Sequence, residues 1–453
     1  MRLGGLAQRR RLVALVVALA AVTGAGGIAV GRVTHDRPDA APRRTTTSSR
    51  PAPVETQLSP EDEAGAMALS AALGPLWARD PNGCIAVASR GRVVYAENAD
   101  APVEAASVLK LATAVAALDV IGADTRLSTT VVAATAPTDG VAAGDLWLVG
   151  GGDPVLGTSL WGTRSLEPEP VFTPLDSLAD RVVAAGVRQI GRVVGDDSRY
   201  DDKRVVDTWP HRFVDDGEIG PLSALTVNDG FRTWSHPGVA FDDPAVGAAS
   251  VFTDLLRARG VTVDGAPTRG AAGRGVTLAA LESAPVGDLV EWMLRDSDNG
   301  TAELLTKEIG LRRVGVGSTA AGVKATTDAL TARGLRLDGT LVADGSGLSD
   351  ANRLTCRLVT SLLVAAQTLL APRLAEAGRT GTLATRFRGT SAEGRLRAKT
   401  GSVDGVAAIA GYLDRPNGAP VTFSYVINGL APKSSLGHSL QDAFVLALLA
   451  TSP

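Results

Sequence analysis

At 453 residues the chain is long enough to bury a large core and to hold more than one domain. Its 45 basic and 48 acidic residues leave a formal charge of −3, and no basic patch with interleaved aromatics occurs, so nothing points to a nucleic-acid partner. The four histidines (His35, His211, His236, His438) are scattered, and neither His-Glu-x-x-His nor Cys-x-x-Cys occurs, which argues against a metal or other cofactor.

Arg9-Arg10-Arg11 precede Leu12 to Gly31, twenty residues without a charge, and Arg32 follows. Residues 1–11 read as a cytoplasmic basic segment and 12–31 as a single-pass membrane anchor, oriented N-inside by the basic flank. A cleaved signal peptide is the alternative, with Leu12–Val22 as its apolar region and Ala18-Leu19-Ala20 as its cleavage site. Either way the bulk of the protein is exported to the outer face of the membrane or the cell wall. Residues 32–60, rich in Pro, Thr, Ser and Arg, form a flexible linker. In an oxidising exterior the two cysteines, Cys84 and Cys356, admit one disulfide; two buried thiols are the alternative.

Cys84–Ser89 and Arg92–Ala96, separated by Arg90-Gly91, read as a β-hairpin. Next, Ser107-Val108-Leu109-Lys110 opens the apolar run Leu111–Leu118, a helix expected to end near Gly122. Residues i and i+3 share a helix face, so Lys110 can reach the Ser107 hydroxyl. Serine is a poor nucleophile without a base beside it. Lysine serves as that base where burial or a second cation lowers its pKa. Only six lysines occur (110, 203, 307, 324, 399 and 433), and arginine supplies the other 39 basic residues.

From 126 to 285 the pattern turns to short Val/Leu-rich strands punctuated by Gly and Pro. The run Gly150-Gly151-Gly152-Asp153-Pro154 lacks the Gly-Lys-Ser/Thr ending of a phosphate loop. A second helical region begins near Val286. Strands Val406–Leu413 and Val421–Ile427 precede a final helix near Leu440–Leu449. The pattern predicts one α/β domain, 61–125 plus 286–453, split by a mostly β insertion, 126–285.

Two further segments complete the Ser107–Lys110 motif. Ser297-Asp298-Asn299 begins a helical run, and Lys399-Thr400-Gly401 leads into an apolar strand. The ordered trio S-x-x-K, S-D-N, K-T-G marks class A β-lactamases and penicillin-binding proteins. Attack on an amide carbonyl uses these residue types. Ser107 is the nucleophile, Lys110 the base, and Ser297 a proton relay bridging Lys110 and Lys399. Lys399 is expected to keep Lys110 neutral by like-charge repulsion and to attract a substrate carboxylate. Thr400 bonds that carboxylate, and Asn299 holds the substrate's backbone amide. Beyond Gly401, the backbone N–H of Ser402 pairs with that of Ser107 as an oxyanion hole.

The sequence resembles the D-alanyl-D-alanine carboxypeptidase/endopeptidase family of class C, low-molecular-mass penicillin-binding proteins over residues 80–450. The likeness extends to Leu148–Pro154, Gly220–Gly230, Asp344-Gly345-Ser346-Gly347-Leu348-Ser349, and Gly381-Thr382-Leu383 with Arg386-Phe387. It implies a penicillin-binding, transpeptidase-like α/β domain, an antiparallel sheet flanked by helices, interrupted between the serine and S-x-N motifs. The 190 residues between Ser107 and Ser297 agree with that arrangement; class A β-lactamases keep these motifs much closer. The resemblance further implies a serine-type D-Ala-D-Ala carboxypeptidase, with endopeptidase action beside it. It would act on peptidoglycan stem peptides through an acyl-serine intermediate and bind β-lactam antibiotics. A catalytically weak wall-binding scaffold and a β-lactamase are the alternatives. One departure concerns specificity: similar proteins usually carry an arginine directly after Asp-Gly-Ser-Gly-Leu-Ser, where it helps bind the diaminopimelate end of the stem. Here Asp350 takes that place, with Arg353 three residues on, and Asp196–Tyr200 is expected to contribute to the same pocket.

Overall fold

The computed structural model describes residues 60–78, 82–162, 171–210, 212–233, 238–416, 418–431 and 435–451. The basic segment, the anchor or signal stretch and the linker up to residue 59 lie outside these. Among the described residues no helix is long and apolar enough to cross a membrane.

Cys84–Ser89 and Arg92–Glu97 pair as the expected antiparallel hairpin. Arg90 and Gly91 both take positive φ (49° and 79°), the two-residue turn whose twist matches paired strands. Four C-terminal strands join this hairpin, so the two ends of the domain share one six-stranded antiparallel sheet. From one edge to the other its order is Ala375–Glu376, Leu396–Val403, Val406–Leu413, Val421–Ile427, Cys84–Ser89, Arg92–Glu97.

Alternation along the strands divides the sheet into two apolar faces. Cys84, Ala86, Ala408, Ala410 and Val426 face a cluster containing the serine helix, Lys110–Val120. Ile85, Val87, Ile409, Phe423 and Tyr425 face Leu69 and Leu73 of Pro60–Trp77, and Phe444 and Leu448 of Leu436–Ala450. The result is a helix–sheet–helix sandwich. Every residue from Lys110 to Leu118 is buried, because Val286–Arg295, Asn299–Val314 and Thr319–Ala332 enclose the serine helix. A helix apolar all round is stable only when so enclosed. Cys84 and Cys356 form a disulfide, Cα–Cα 5.8 Å, joining the first strand to the start of helix Cys356–Ala365.

Residues 128–282 build a second sheet around a core of their own. Its order is Thr268–Arg269, Val193–Asp196, Leu146–Val149, Ser128–Ala133, Val276–Glu282. The first three strands run parallel and the last two pairings are antiparallel. Parallel neighbours need a crossover. Two helices, Leu175–Ala184 and Pro244–Arg257, supply it and bury Leu178, Val182, Ala248 and Phe252 against the strands.

Candidate active site

Ser107 lies in a 3₁₀ turn, Ala106–Leu109, that runs directly into the α-helix beginning at Lys110. The preceding Ala106 is held at φ 45°, a left-handed conformation costly for a residue with a Cβ. The chain accepts that strain because the turn is clamped from two sides. A Cβ on Gly347 would stand 2.1 Å from the Ala106 carbonyl oxygen, and one on Gly401 would stand 3.1 Å from the Ser107 nitrogen. Only glycine lets both segments come so close to the serine backbone.

Lys110 is fully buried, and its Nζ makes three contacts: Ser107 Oγ at 2.9 Å, Asn299 Oδ1 at 2.7 Å and the Ser346 carbonyl oxygen at 2.7 Å. Two of these partners can only accept. A neutral amine has two N–H donors and one lone pair. With Asn299 and Ser346 taking the donors, the lone pair is left for the Ser107 hydroxyl proton. Burial brings the Lys110 pKa down to about 8, while Asp298, Asp344, Glu303 and Glu218 pull it back up. Burial is thus the main influence favouring the neutral form of Lys110. The two buried lysines also repel one another, and burial together with Lys110 holds Lys399 well below the usual lysine range.

Asn299 opens helix Asn299–Val314, whose N-cap is Asp298, its Oδ1 accepting from the Thr301 N–H at 2.6 Å. Ser297 precedes the cap at φ 64°, so the strained serine and the capping aspartate together turn the chain into the cleft. Asn299 Nδ2 donates to the Glu218 carbonyl at 3.0 Å, which joins this helix end to the inserted segment.

Lys399, Thr400, Gly401 and Ser402 lie within strand Leu396–Val403. Its edge partner pairs with Arg397 and Ala398, so among the described residues the K-T-G stretch has no strand neighbour on the side facing the serine turn. Lys399 Nζ donates to the Thr400 carbonyl at 2.7 Å, and Thr400 Oγ1 donates to Thr382 Oγ1 at 2.8 Å. Ser107, Ser297, Asn299, Thr400 and Ser402 line a single cleft of about 490 Å³. One expected contact is not made among the described residues: Lys110 spends its contacts elsewhere and Lys399 turns to a carbonyl, so Ser297 does not bridge them. His438 also lines the cleft, but it is Lys110 Nζ that lies 2.9 Å from Ser107 Oγ.

A scan against family models matches residues 72–236 and 234–448 to the D-Ala-D-Ala carboxypeptidase 3 (S13) family. The chain belongs to that family. Among curated relatives, the carboxypeptidase DacB of Mycolicibacterium smegmatis is 31% identical over 96% of this chain and 95% of its own length. The D-alanyl-D-alanine carboxypeptidase of Actinomadura sp. (strain R39) is 31% identical over 79% of each chain. Among solved structures, penicillin-binding protein 4 of Haemophilus influenzae superposes with a TM-score of 0.72 at 21% identity, covering 83% of this chain and 98% of that one. The same protein complexed with a β-lactam gives 0.64 over the same shares.

Two expectations about specificity need correction. Asp350 is exposed and does not line the cleft; Arg353 turns back to the Asp350 carbonyl at 2.6 Å. Asp196–Tyr200 does not line it either. Asp197 pairs with Arg204 and Arg269, while Arg199 and Tyr200 bond Glu308. Instead the inserted segment closes one wall with Arg212, Phe213 and Glu218, and Arg212 pairs across the mouth with Asp404 at 3.1 Å. No sequence motif marks these wall residues, and Ser346, inside the Asp344–Ser349 stretch, acts through its backbone carbonyl, which no side-chain pattern reveals.

Proposed function

We propose that the chain is a serine-type D-Ala-D-Ala carboxypeptidase that hydrolyses the terminal bond of peptidoglycan stem peptides and is acylated by β-lactams at Ser107. The observation that carries this reading is the buried Lys110 amine, 2.9 Å from Ser107 Oγ, with two neutral acceptors fixing its other contacts. Ser107 Oγ attacks the penultimate carbonyl carbon as Lys110 takes its proton. The carbonyl oxygen gathers charge against the N–H groups of Ser107 and Ser402; losing one such donor costs about 10²–10³ in rate. The proton on Lys110 then passes to the departing D-Ala nitrogen, and the C–N bond breaks. Water hydrolyses the acyl ester and restores the serine. Thr400 and the Lys399 amine receive the substrate's terminal carboxylate, whose charge favours the protonated lysine. A β-lactam offers the same pairing of amide and carboxylate.

The test is release of D-Ala from a peptide ending in D-Ala-D-Ala. The native protein releases it and Ser107→Ala does not; equal release by both would end the reading. Cross-link cleavage uses the same acyl-enzyme chemistry, and the masses of products released from purified peptidoglycan tell the two activities apart. Residues 12–31 hold the protein to the outer face of the membrane or export it as a cleaved leader, a reading supported by their uncharged length. N-terminal sequencing of the mature protein separates the two. Residues 126–285 are read as an accessory insertion that supplies one wall of the cleft.

A further inference from the structure

Helix Asn299–Val314 buries a second polar side chain toward the site, one turn beyond Asn299. Glu303 is fully buried, and its Oε1 accepts from the backbone N–H groups of Gly345 at 2.9 Å and Ser346 at 2.7 Å. The carbonyl of that same Ser346 accepts from Lys110 Nζ. The loop is pinned from other sides as well. Thr113 Oγ1 of the serine helix donates to the Gly345 carbonyl at 2.7 Å. The Asp344 carboxylate accepts from the N–H groups of Gly347 and Ser349, from Asn352 Nδ2 and from Trp209 Nε1. Gly345 packs so tightly on the helix that a Cβ there would stand 2.0 Å from Thr306 Oγ1.

We propose that Glu303 is a positioning residue for acylation: by gripping the Gly345 and Ser346 amides it fixes the Ser346 carbonyl as one of the two acceptors that aim the Lys110 lone pair at Ser107. The helix therefore orients the base twice, directly through Asn299 and indirectly through Glu303. Only Oε1 is used. Oε2 has no hydrogen-bond partner among the described residues, and burial and Asp344 push the Glu303 pKa up to about 8.

This inference rests on Ser107 and Lys110 being nucleophile and base. Its test compares acylation by a fluorescent penicillin in native protein, Glu303→Gln, Glu303→Ala and Ser107→Ala, separating the binding constant from the acylation rate and recording each melting temperature. Gln keeps a carbonyl oxygen for the two amides, so Glu303→Gln is expected within about threefold of native. Glu303→Ala is expected to lose on the order of tenfold to a hundredfold in the acylation step with penicillin binding little changed, since small misplacements of a reacting group have effects of that size. If Glu303→Ala does not fold, Glu303→Asp, too short to grip both amides, replaces it with the same expected loss. A native acylation rate in folded Glu303→Ala or Glu303→Asp would overturn the inference, as would a Gln variant as slow as they are. Label on Ser107→Ala would overturn the underlying site instead.

Discussion

The two halves of helix Asn299–Val314 bury lysines in opposite ways. At its N-terminal end Lys110 meets only a hydroxyl, an amide oxygen and a backbone carbonyl. Farther along, Lys307 is as fully buried but bonds the Asp201 carboxylate and the Lys203 carbonyl. Beside it, Glu308 takes Arg199, Arg312 and Tyr200. A buried lysine bonded to a carboxylate ties two segments together as a clamp. One surrounded by neutral acceptors can give up its proton and serve as a base. Burial alone therefore does not decide what a lysine can do; the charge of its hydrogen-bond partners matters as well.

Replacing the base should show the largest effect. Lys110→Ala is expected to lower the acylation rate about 10²–10⁴-fold, the range of a positioned general base, and acylation within tenfold of native would remove Lys110 from that role. Next comes pH. With the neutral amine active and its pKa near 8, acylation should rise tenfold per unit up to about pH 8 and then level, leaving the rate at pH 6 about a hundredfold below the plateau. A profile flat from pH 6 to 9 would place the base elsewhere. The smallest effect on chemistry belongs to the other lysine. Lys307→Met should cost about 1–3 kcal/mol of stability by stranding polar partners, toward the low end because Asp201 stays partly in water. Acylation by the folded protein should stay within twofold of native. A large drop in rate without a drop in melting temperature would dissolve the contrast between the two lysines.

Much of the cleft was legible because its chemistry is written in short segments. Ser107–Lys110 reads from helical spacing, and Ser297–Asn299 and Lys399–Gly401 read from motif and order. The hairpin and the strands Val406–Leu413 and Val421–Ile427 read from apolar runs and a two-residue turn. The rest depends on contacts distant in sequence. Ser346 acts through its backbone carbonyl, which any residue possesses. Glu303 looks like an ordinary helix position until it is seen to be buried against a loop 42 residues away. The helices Leu175–Ala184 and Pro244–Arg257 sit among short strands whose Val and Leu content dominates the local pattern, and the need for crossovers follows only from the parallel pairing of those strands. Asp350 directly follows the Asp344–Ser349 motif, yet the chain there turns outward and leaves it in solvent.

The most direct measurement is the mass of the proteolytic peptide bearing Ser107 after brief exposure to penicillin. The account predicts one adduct of the whole antibiotic on Ser107, absent from Ser107→Ala and formed far more slowly in Lys110→Ala. An adduct on another residue, or equal labelling of Ser107→Ala, would contradict it.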